Sequence, residues 1–359
     1  MLKKSNHDFF GKSILGLVLV LDFIPSSIFF SSTALDWRIY LFHTLLFFSL
    51  FITLKLKFPI NLITFKKKQV LFFLIIITFV GVLPYLRYVP YIDLKNLILE
   101  DIYITRLKFR GLFDTYSGYT HSWFTRVIIP IIFVLALKFR LKVIAIANTV
   151  LLLFLYLMGA VKSVLLGSLL VVIFYFIRRE KILPMILKGL IILLLIALLL
   201  IPNDIHDRNF LSVVVFRRMM FVPQILDYCY FDFFSDKHLY WSNSFLKGIL
   251  DYPYSESSPR LIGLEYFNKE DMAANNGLVS DGFSNGGFFG FCITIFIFNS
   301  YMLIIKNCNI DMKFFGVYFF ILYGFLTTAI STVLITHGGL LLLLITFFLL
   351  REKKTHTKQ

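Results

Sequence analysis

The chain has 359 residues, 58% of them hydrophobic and 16% charged, with a formal net charge of +15. A soluble chain of this length carries about a quarter charged residues. This much apolar surface cannot be enclosed in one water-soluble core, so the bilayer must be part of its solvent. The positive charge alone would suit nucleic acid, but its placement along the chain excludes that partner.

In chain order, apolar runs lie near 13–34, 38–56, 69–86, 122–137, 143–158, 163–177, 184–201, 285–305, 314–334 and 339–350. Most approach the roughly 20 residues a helix needs to cross the hydrocarbon. In lipid every backbone polar group must be satisfied within the segment, so these runs are read as helices. No small-residue cleavage site follows the first run, which therefore reads as a retained helix. The expected fold is an all-α integral membrane protein of about ten transmembrane helices, one polytopic domain over 1–359.

Lysine and arginine in the short connections set the orientation. Alternate segments, from Lys3, Lys4 and Lys12 to Arg351, Lys353, Lys354 and Lys358, hold 21 basic residues against the four acids Asp8, Glu180, Asp311 and Glu352. The other side holds 15 basic and 16 acidic residues, which leaves the two sides at +17 and −1, with Asp22 inside the first helix. Both termini are expected in the cytoplasm, with outer loops at 87–121 and 202–284 between helices 3 and 4 and helices 7 and 8. No cytoplasmic segment is long enough for a nucleotide-binding βαβ unit. No Walker, dinucleotide or helical zinc pattern occurs. Cys229, Cys292 and Cys308 fall in different compartments of this layout, so no internal disulfide is expected.

The polar residues concentrate in the outer loops. Read as a helix over 211–230, the second loop places Arg217, Gln224 and Tyr228 on one polar stripe, with Pro223 as a kink, lying against the membrane surface. Arg217 and Arg218 suit a lipid-linked phosphate, because guanidinium binds phosphate oxygens bidentately. They equally suit head groups or local carboxylates. Asp232, Tyr240, Trp241 and Arg260 follow. The loop closes on Asn275, Asn276 and Gly277, then Asp281 and Gly286-Gly287, a composition that suits sugar hydroxyls or a plain polar turn. Lys162 sits in the hairpin Gly159–Ser163, where a charge near hydrocarbon is either functional or snorkelling. The first loop offers Arg106, Lys108 and Arg110, a basic run that could gather a diphosphate or be a solvated face. Asp22 is a functional candidate with no partner evident from sequence. His337 is a lone histidine in the last outer turn. His206 between Asp204 and Asp207 lacks a further ligand at metal spacing, so no metal is expected.

The layout, and the stretches Phe216-Arg217-Arg218 through Pro223, Tyr228 and Tyr240-Trp241-Ser242, with Asn275-Asn276-Gly277, Asp281 and Gly286-Gly287, resemble the Wzy-type oligosaccharide repeat-unit polymerases of O-antigen and related surface polysaccharides. The hairpin Gly159–Ser163 is similar to a Gly-Ser-Lys-Ser turn in that family, with Val161 departing from it. The resemblance implies a glycosyltransferase of the bacterial inner membrane. It would transfer an undecaprenyl diphosphate-linked glycan onto the next lipid-linked repeat, without a cofactor. A chain-length regulator and a flippase would be its partners in the membrane. In this reading Arg217 neutralises the departing diphosphate, assisted by Arg218, Arg260 or Lys162. Asp281, Asp232 or His337 handles the acceptor hydroxyl. An O-antigen ligase, a lipid-linked peptidoglycan polymerase and a lipid-linked oligosaccharide flippase share parts of this pattern. Concentration of polar residues outside the helices favours the enzyme over the flippase.

The charge asymmetry makes a direct prediction. Reporter fusions at Gln359 and at Ser255 should report opposite sides of the membrane, the first cytoplasmic. The same side for both would contradict the layout.

Overall fold

In the computed structural model of this chain, residues 6–33, 35–58, 60, 65–98, 102–199, 221–270 and 272–352 are described. Every apolar run is helical. Helix α1 (Asn6–Val18) continues through a π turn, Leu19–Phe23, into α2 (Ile24–Ser32), and α3 (Arg38–Thr53) follows. Helix α4 (Lys67–Val82) runs on as a 3-10 turn to Tyr91. After α5 (Ile102–Leu112), α6 (Thr115–Trp123) and α7 (Ile129–Lys138) are joined by a π turn, Phe124–Ile128. Then come α8 (Lys142–Gly159), α9 (Lys162–Phe176), α10 (Ile182–Leu199), α11 (Val222–Phe233) and α12 (Ser258–Phe267). The chain ends with α13 (Leu278–Asn307), α14 (Phe315–Thr327) and α15 (Gly339–Leu344), the last flanked by π turns Thr332–Thr336 and Ile345–Leu350. No strand occurs among the described residues.

Among the described residues, five rods are long and apolar enough to cross a membrane: Asp8–Ser32, Lys67–Tyr91, Thr115–Lys138, Lys142–Gly159 and Leu278–Asn307. Arg38–Thr53, Lys162–Phe176, Met312–Thr327 and Gly339–Leu350 are shorter apolar helices. The protein is thus a helical, membrane-embedded bundle.

Lipid tails are as apolar as leucine, so close backbone approach rather than water exclusion holds such helices together. Helices α9 and α14 show this. A Cβ at Gly316 would come 2.5 Å from the Val171 backbone, and the Phe320 ring lies where a Gly167 side chain would be. One end of the bundle collects cations from the basic connections. Lys67 Nζ donates to the Leu349 and Arg351 carbonyls at 2.9 and 2.8 Å. Lys138 Nζ meets Asp311 at 2.6 Å and Glu352 at 3.3 Å. Arg351 donates to the Ile60 carbonyl at 2.9 Å.

Among the described residues, both segments expected as outer loops are more helical than the sequence suggested. The first is 3-10 turns and α5, and α6 begins at Thr115, inside the expected loop 87–121. Asp114 caps α6 by accepting from Ser117 N at 2.9 Å and pairs with Arg87 at 2.8 Å. Arg87, with the Ser117 amide, holds the Asp114 carboxyl down at about 2. The second segment ends at Gly277, because α13 starts at Leu278. Gly286-Gly287, read from sequence as the close of a loop, is instead a break inside α13, with φ −168° at Gly286 and +56° at Gly287. Glycine alone takes the second conformation at no steric cost.

The break strips α13 carbonyls of their helical partners, and the preceding chain restores them. Leu239 N donates to the Ser284 carbonyl at 2.9 Å and Tyr240 N to that of Asn285 at 2.8 Å. Trp241 N donates to Asn285 Oδ1 at 2.6 Å. Tyr240 and Trp241 adopt φ +50° and +56° to do so. Gly290, just past the break, faces the carbonyl of Gly282, and a Cβ there would come within 2.2 Å of it. Gly290→Ala should therefore destabilise the protein by about 1–3 kcal/mol. Gly118→Ala on α6, with nothing within 4 Å, should leave stability unchanged or slightly raised. Thermal unfolding of detergent-purified protein measures both, and equal midpoints for the two variants would contradict the break as described.

Candidate functional site

Two buried polar features adjoin at the end of the bundle covered by α11, α12 and the start of α13. The first is a chain of ionisable groups. Asp22 lies in the π turn of the first rod, and His43 on α3. Single π turns inside α-helices recur at functional positions. His43 Nδ1 is 3.0 Å from Asp22 Oδ1, and His43 Nε2 is 3.4 Å from Asp227 Oδ2 on α11. Asp227 Oδ1 accepts from Asn276 Nδ2 at 2.9 Å and from Ser280 Oγ. Asn276 Nδ2 also reaches the Pro223 carbonyl at 2.9 Å. Burial pushes the Asp227 carboxyl above its usual range, against the opposing pull of His43. Only a doubly protonated imidazole could donate toward both carboxylates. Beside this chain Gln224 is fully buried, with neither amide atom bonded.

The second feature is a polar cavity of about 290 Å³, lined chiefly by hydroxyls, amides and one carboxylate. Asn275, Asn276 and Asp281 face Asn243, Ser258 and the segment Thr328–Thr332. Asp281 Oδ2 accepts from Ile330 N at 2.9 Å, and its Oδ1 accepts from Asn285 Nδ2 at 3.1 Å. A carboxylate offers about four lone-pair positions, so both oxygens keep capacity for a ligand. Asn276 belongs to both features, since it lines the cavity and bonds Asp227. Such a surface can hydrogen-bond a polyhydroxylated molecule and orient or deprotonate one hydroxyl. Among the described residues no group of three acidic, histidine or cysteine side chains could hold a metal ion.

The structure thus brings Asn275, Asn276 and Asp281 together and sets other expected residues elsewhere. Asp232 is exposed on α11 and accepts from the Tyr266 hydroxyl, outside the cavity lining. Tyr228 packs into the aromatic cluster under α12. Gln224 does not join it on a solvent-facing stripe; α11 lies against α2, α3 and α13, and its Gln224–Asp227 side is buried in the bundle. Pro223 does not kink this helix but sits in its first turn, where its missing N–H costs nothing. Tyr240 and Trp241 serve the α13 break through their backbone. Arg260 is exposed and paired with Glu256 at 3.2 Å.

Arg106 donates to the Ala160 carbonyl at 3.0 Å, closing the Gly159–Ser163 hairpin, whose Ala160 has φ +47°. Lys162 is exposed at the start of α9 in that hairpin, and Arg110 lies on α5 with Arg106. His337 ends the π turn before α15, with Nδ1 buried and unpartnered. Burial first, then the charge of Arg126, takes its imidazole down to about 3. Arg217, Arg218, Asp204, His206 and Asp207 lie outside the described residues.

Sequence reasoning missed His43 and Asp227. The available signal was that two ionisable residues, Asp22 and His43, occupy adjacent apolar runs, where buried charges pair. Asp227 lies three residues from Gln224 and so shares its helix face. No known family, curated protein or solved structure matches this chain.

Removing one partner of a buried ion pair strands the others and costs about 3–5 kcal/mol. Asp22→Ala and His43→Ala should each lower stability by that order, whereas Asp232→Ala, at an exposed site, should change it by less than about 1 kcal/mol. Denaturation in detergent reads all three, and a harmless His43→Ala would remove the chain of charges from the fold's support.

Proposed function

We propose that this protein is a membrane glycosyltransferase that polymerises undecaprenyl diphosphate-linked repeat units of a bacterial surface polysaccharide. The observation that carries this reading is the cavity of about 290 Å³, whose hydroxyl and amide lining surrounds the Asp281 carboxylate at the end of the bundle away from the Lys67, Lys138 and Arg351 cluster. With ten crossings and that cluster in the cytoplasm, the cavity opens on the outer side of the inner membrane, where lipid-linked repeats are exported.

In this reading the acceptor hydroxyl sits against Asp281. Its oxygen bonds the anomeric carbon of the donor glycan as the bond from that carbon to the diphosphate oxygen breaks. Asp281 takes the hydroxyl proton, held in place by Ile330 N–H and Asn285. The electron pair of the broken bond leaves on the lipid diphosphate, where fixed cations stabilise it. Arg217 and Arg218 are the proposed cations from the second outer segment. Asn275 and Asn276 bind sugar hydroxyls. No nucleotide is consumed, because the diphosphate lipid is already activated.

A second reading has its own support. Aspartate and histidine chains inside helices recur in proton-driven carriers, and interrupted helices mark many transporter sites. The Asp22–His43–Asp227 chain and the broken α13 therefore fit a proton-coupled flippase of lipid-linked oligosaccharide. The expectation that polar groups lie mainly outside the helices does not survive these buried charges, so that argument no longer separates the two.

Deleting the gene and resolving surface glycolipids by size tests the proposal. The long-chain ladder should vanish while core bearing one repeat stays, and an Asp281→Asn gene should not restore it. Bare core with long chains left on the lipid carrier would identify a ligase. Single repeats trapped on the cytoplasmic face would identify a flippase.

A further inference from the structure

Among the described residues of the apolar rods, Arg126 is a half-buried cation whose guanidinium no protein group answers. It lies in the π turn Phe124–Ile128, inside the span Thr115–Lys138. Its Nε is buried without a partner, and among the described residues no hydrogen bond, ion pair or nearby carboxylate answers its guanidinium. Other cations of the bundle are answered: Lys138 by Asp311 and Glu352, Arg351 by the Ile60 carbonyl. A guanidinium left alone in protein and lipid is costly by several kcal/mol.

The Trp123 Nε1–H donates to the Ile335 carbonyl at 2.7 Å, which fastens the turn before α15 onto the π turn. A Cβ at Gly338 would come 3.0 Å from Val127 and 3.2 Å from Trp123. His337 lies in that fastened turn, its Nδ1 also buried and unpartnered. A Cβ at Gly324 would lie 3.7 Å from that Nδ1, an ordinary contact. On the other side His121 is already engaged, its Nε2 2.8 Å from the Leu155 carbonyl. Two orphaned polar groups, one cationic and one able to donate as a neutral ring, therefore share one place.

Depth names the ligand. The turns at Gly159–Lys162 and Thr336–Gly338 mark one end of the bundle, and both contact the 121–127 stretch. Arg126 lies within the apolar span Thr115–Lys138, and an anion that reaches a group in such a span from the bilayer is carried by a lipid. Guanidinium selects phosphate oxygens by its planar fork.

We propose that Arg126, with His337 beside it, forms a binding site for a phosphate or diphosphate group carried on a lipid. This rests on the glycosyltransferase reading only in naming the diphosphate of the lipid-linked glycan as the group bound. Arg126 would then hold the leaving group from inside the bundle, as a cation supplied by a membrane helix in addition to those proposed in the second outer segment.

The test uses full-length protein in a maltoside detergent, which contains no phosphate. Undecaprenyl diphosphate, phosphatidylglycerol and inorganic diphosphate are titrated separately, and the thermal unfolding midpoint is followed. Undecaprenyl diphosphate should raise the midpoint of the wild type. Arg126→Lys should bind it about tenfold more weakly, and Arg126→Gln should show no shift. Without ligand Arg126→Gln should be at least as stable as wild type, because an unanswered charge has been removed; a merely structural arginine would destabilise when lost. Arg126-dependent binding of phosphatidylglycerol alone would overturn the assignment to the diphosphate carrier and give the site to a bilayer head group. Equal shifts in wild type and Arg126→Gln, or no shift with any probe, would overturn the site itself. If Arg126-dependent binding holds while gene deletion leaves glycan length unchanged, the glycosyltransferase reading fails and the anion site stands.

Discussion

The rest of the architecture depends on keeping charge inside a medium that cannot solvate it. His43 stands between Asp22 and Asp227, and this contact joins the first rod, α3 and α11. Asp227 then holds Asn276 and Ser280, which begin α13. Four separate chain segments are thereby fixed to one another by groups that have no alternative partner in lipid. A buried pair adds little net stability compared with good apolar packing. It adds selectivity, because any other docking of α11 strands a carboxylate.

The broken α13 follows the same accounting of polar groups. A helix interrupted in its course must find new partners for its loosened carbonyls. Here the chain at Leu239–Trp241 supplies the N–H groups, with Tyr240 and Trp241 in left-handed backbone to reach them. The consequence is a short first half of α13 that presents Asp281 and Asn285 to the cavity, while the second half runs on through the bundle. The cavity thus owes its carboxylate to a backbone break, and its wall at Asn276 to the buried charges. Arg126 and His337 repeat the logic in another place, with the difference that among the described residues no protein group completes the set.

Much of the architecture is plain in the sequence. The ten apolar runs are helical where composition put them, because a run that must satisfy its backbone in lipid has one local solution. The loop ends were misplaced by about seven residues, at Thr115 and Leu278. Polar helix turns such as Thr115–His121 and Leu278–Asn285 read as loop when judged by hydropathy, since their composition reflects what they face and not how their backbone is bonded. Gly286-Gly287 signals a backbone irregularity, but a glycine pair reads alike in a loop and in a helix break.

The candidate site was half legible. Asn275, Asn276 and Asp281 stood out as an amide and carboxylate cluster next to a helix, and they share the cavity. Asp232 carries the same group as Asp281, and Tyr228 is another polar candidate, yet they face solvent and an aromatic cluster, because a side chain's neighbours are set by helix rotation and docking. Asp22 announced itself as a charge in an apolar run, but its partner lies 21 residues away on another helix and the next carboxylate beyond that on α11. The sequence by itself determined that the chain lives in a membrane, that it is helical and which end of the bundle gathers cations, since hydropathy and charge act locally along the chain. Only the tertiary structure decided which buried charges meet and where a cavity opens. Those depend on distances between helices, which close packing in lipid sets and which no local pattern records.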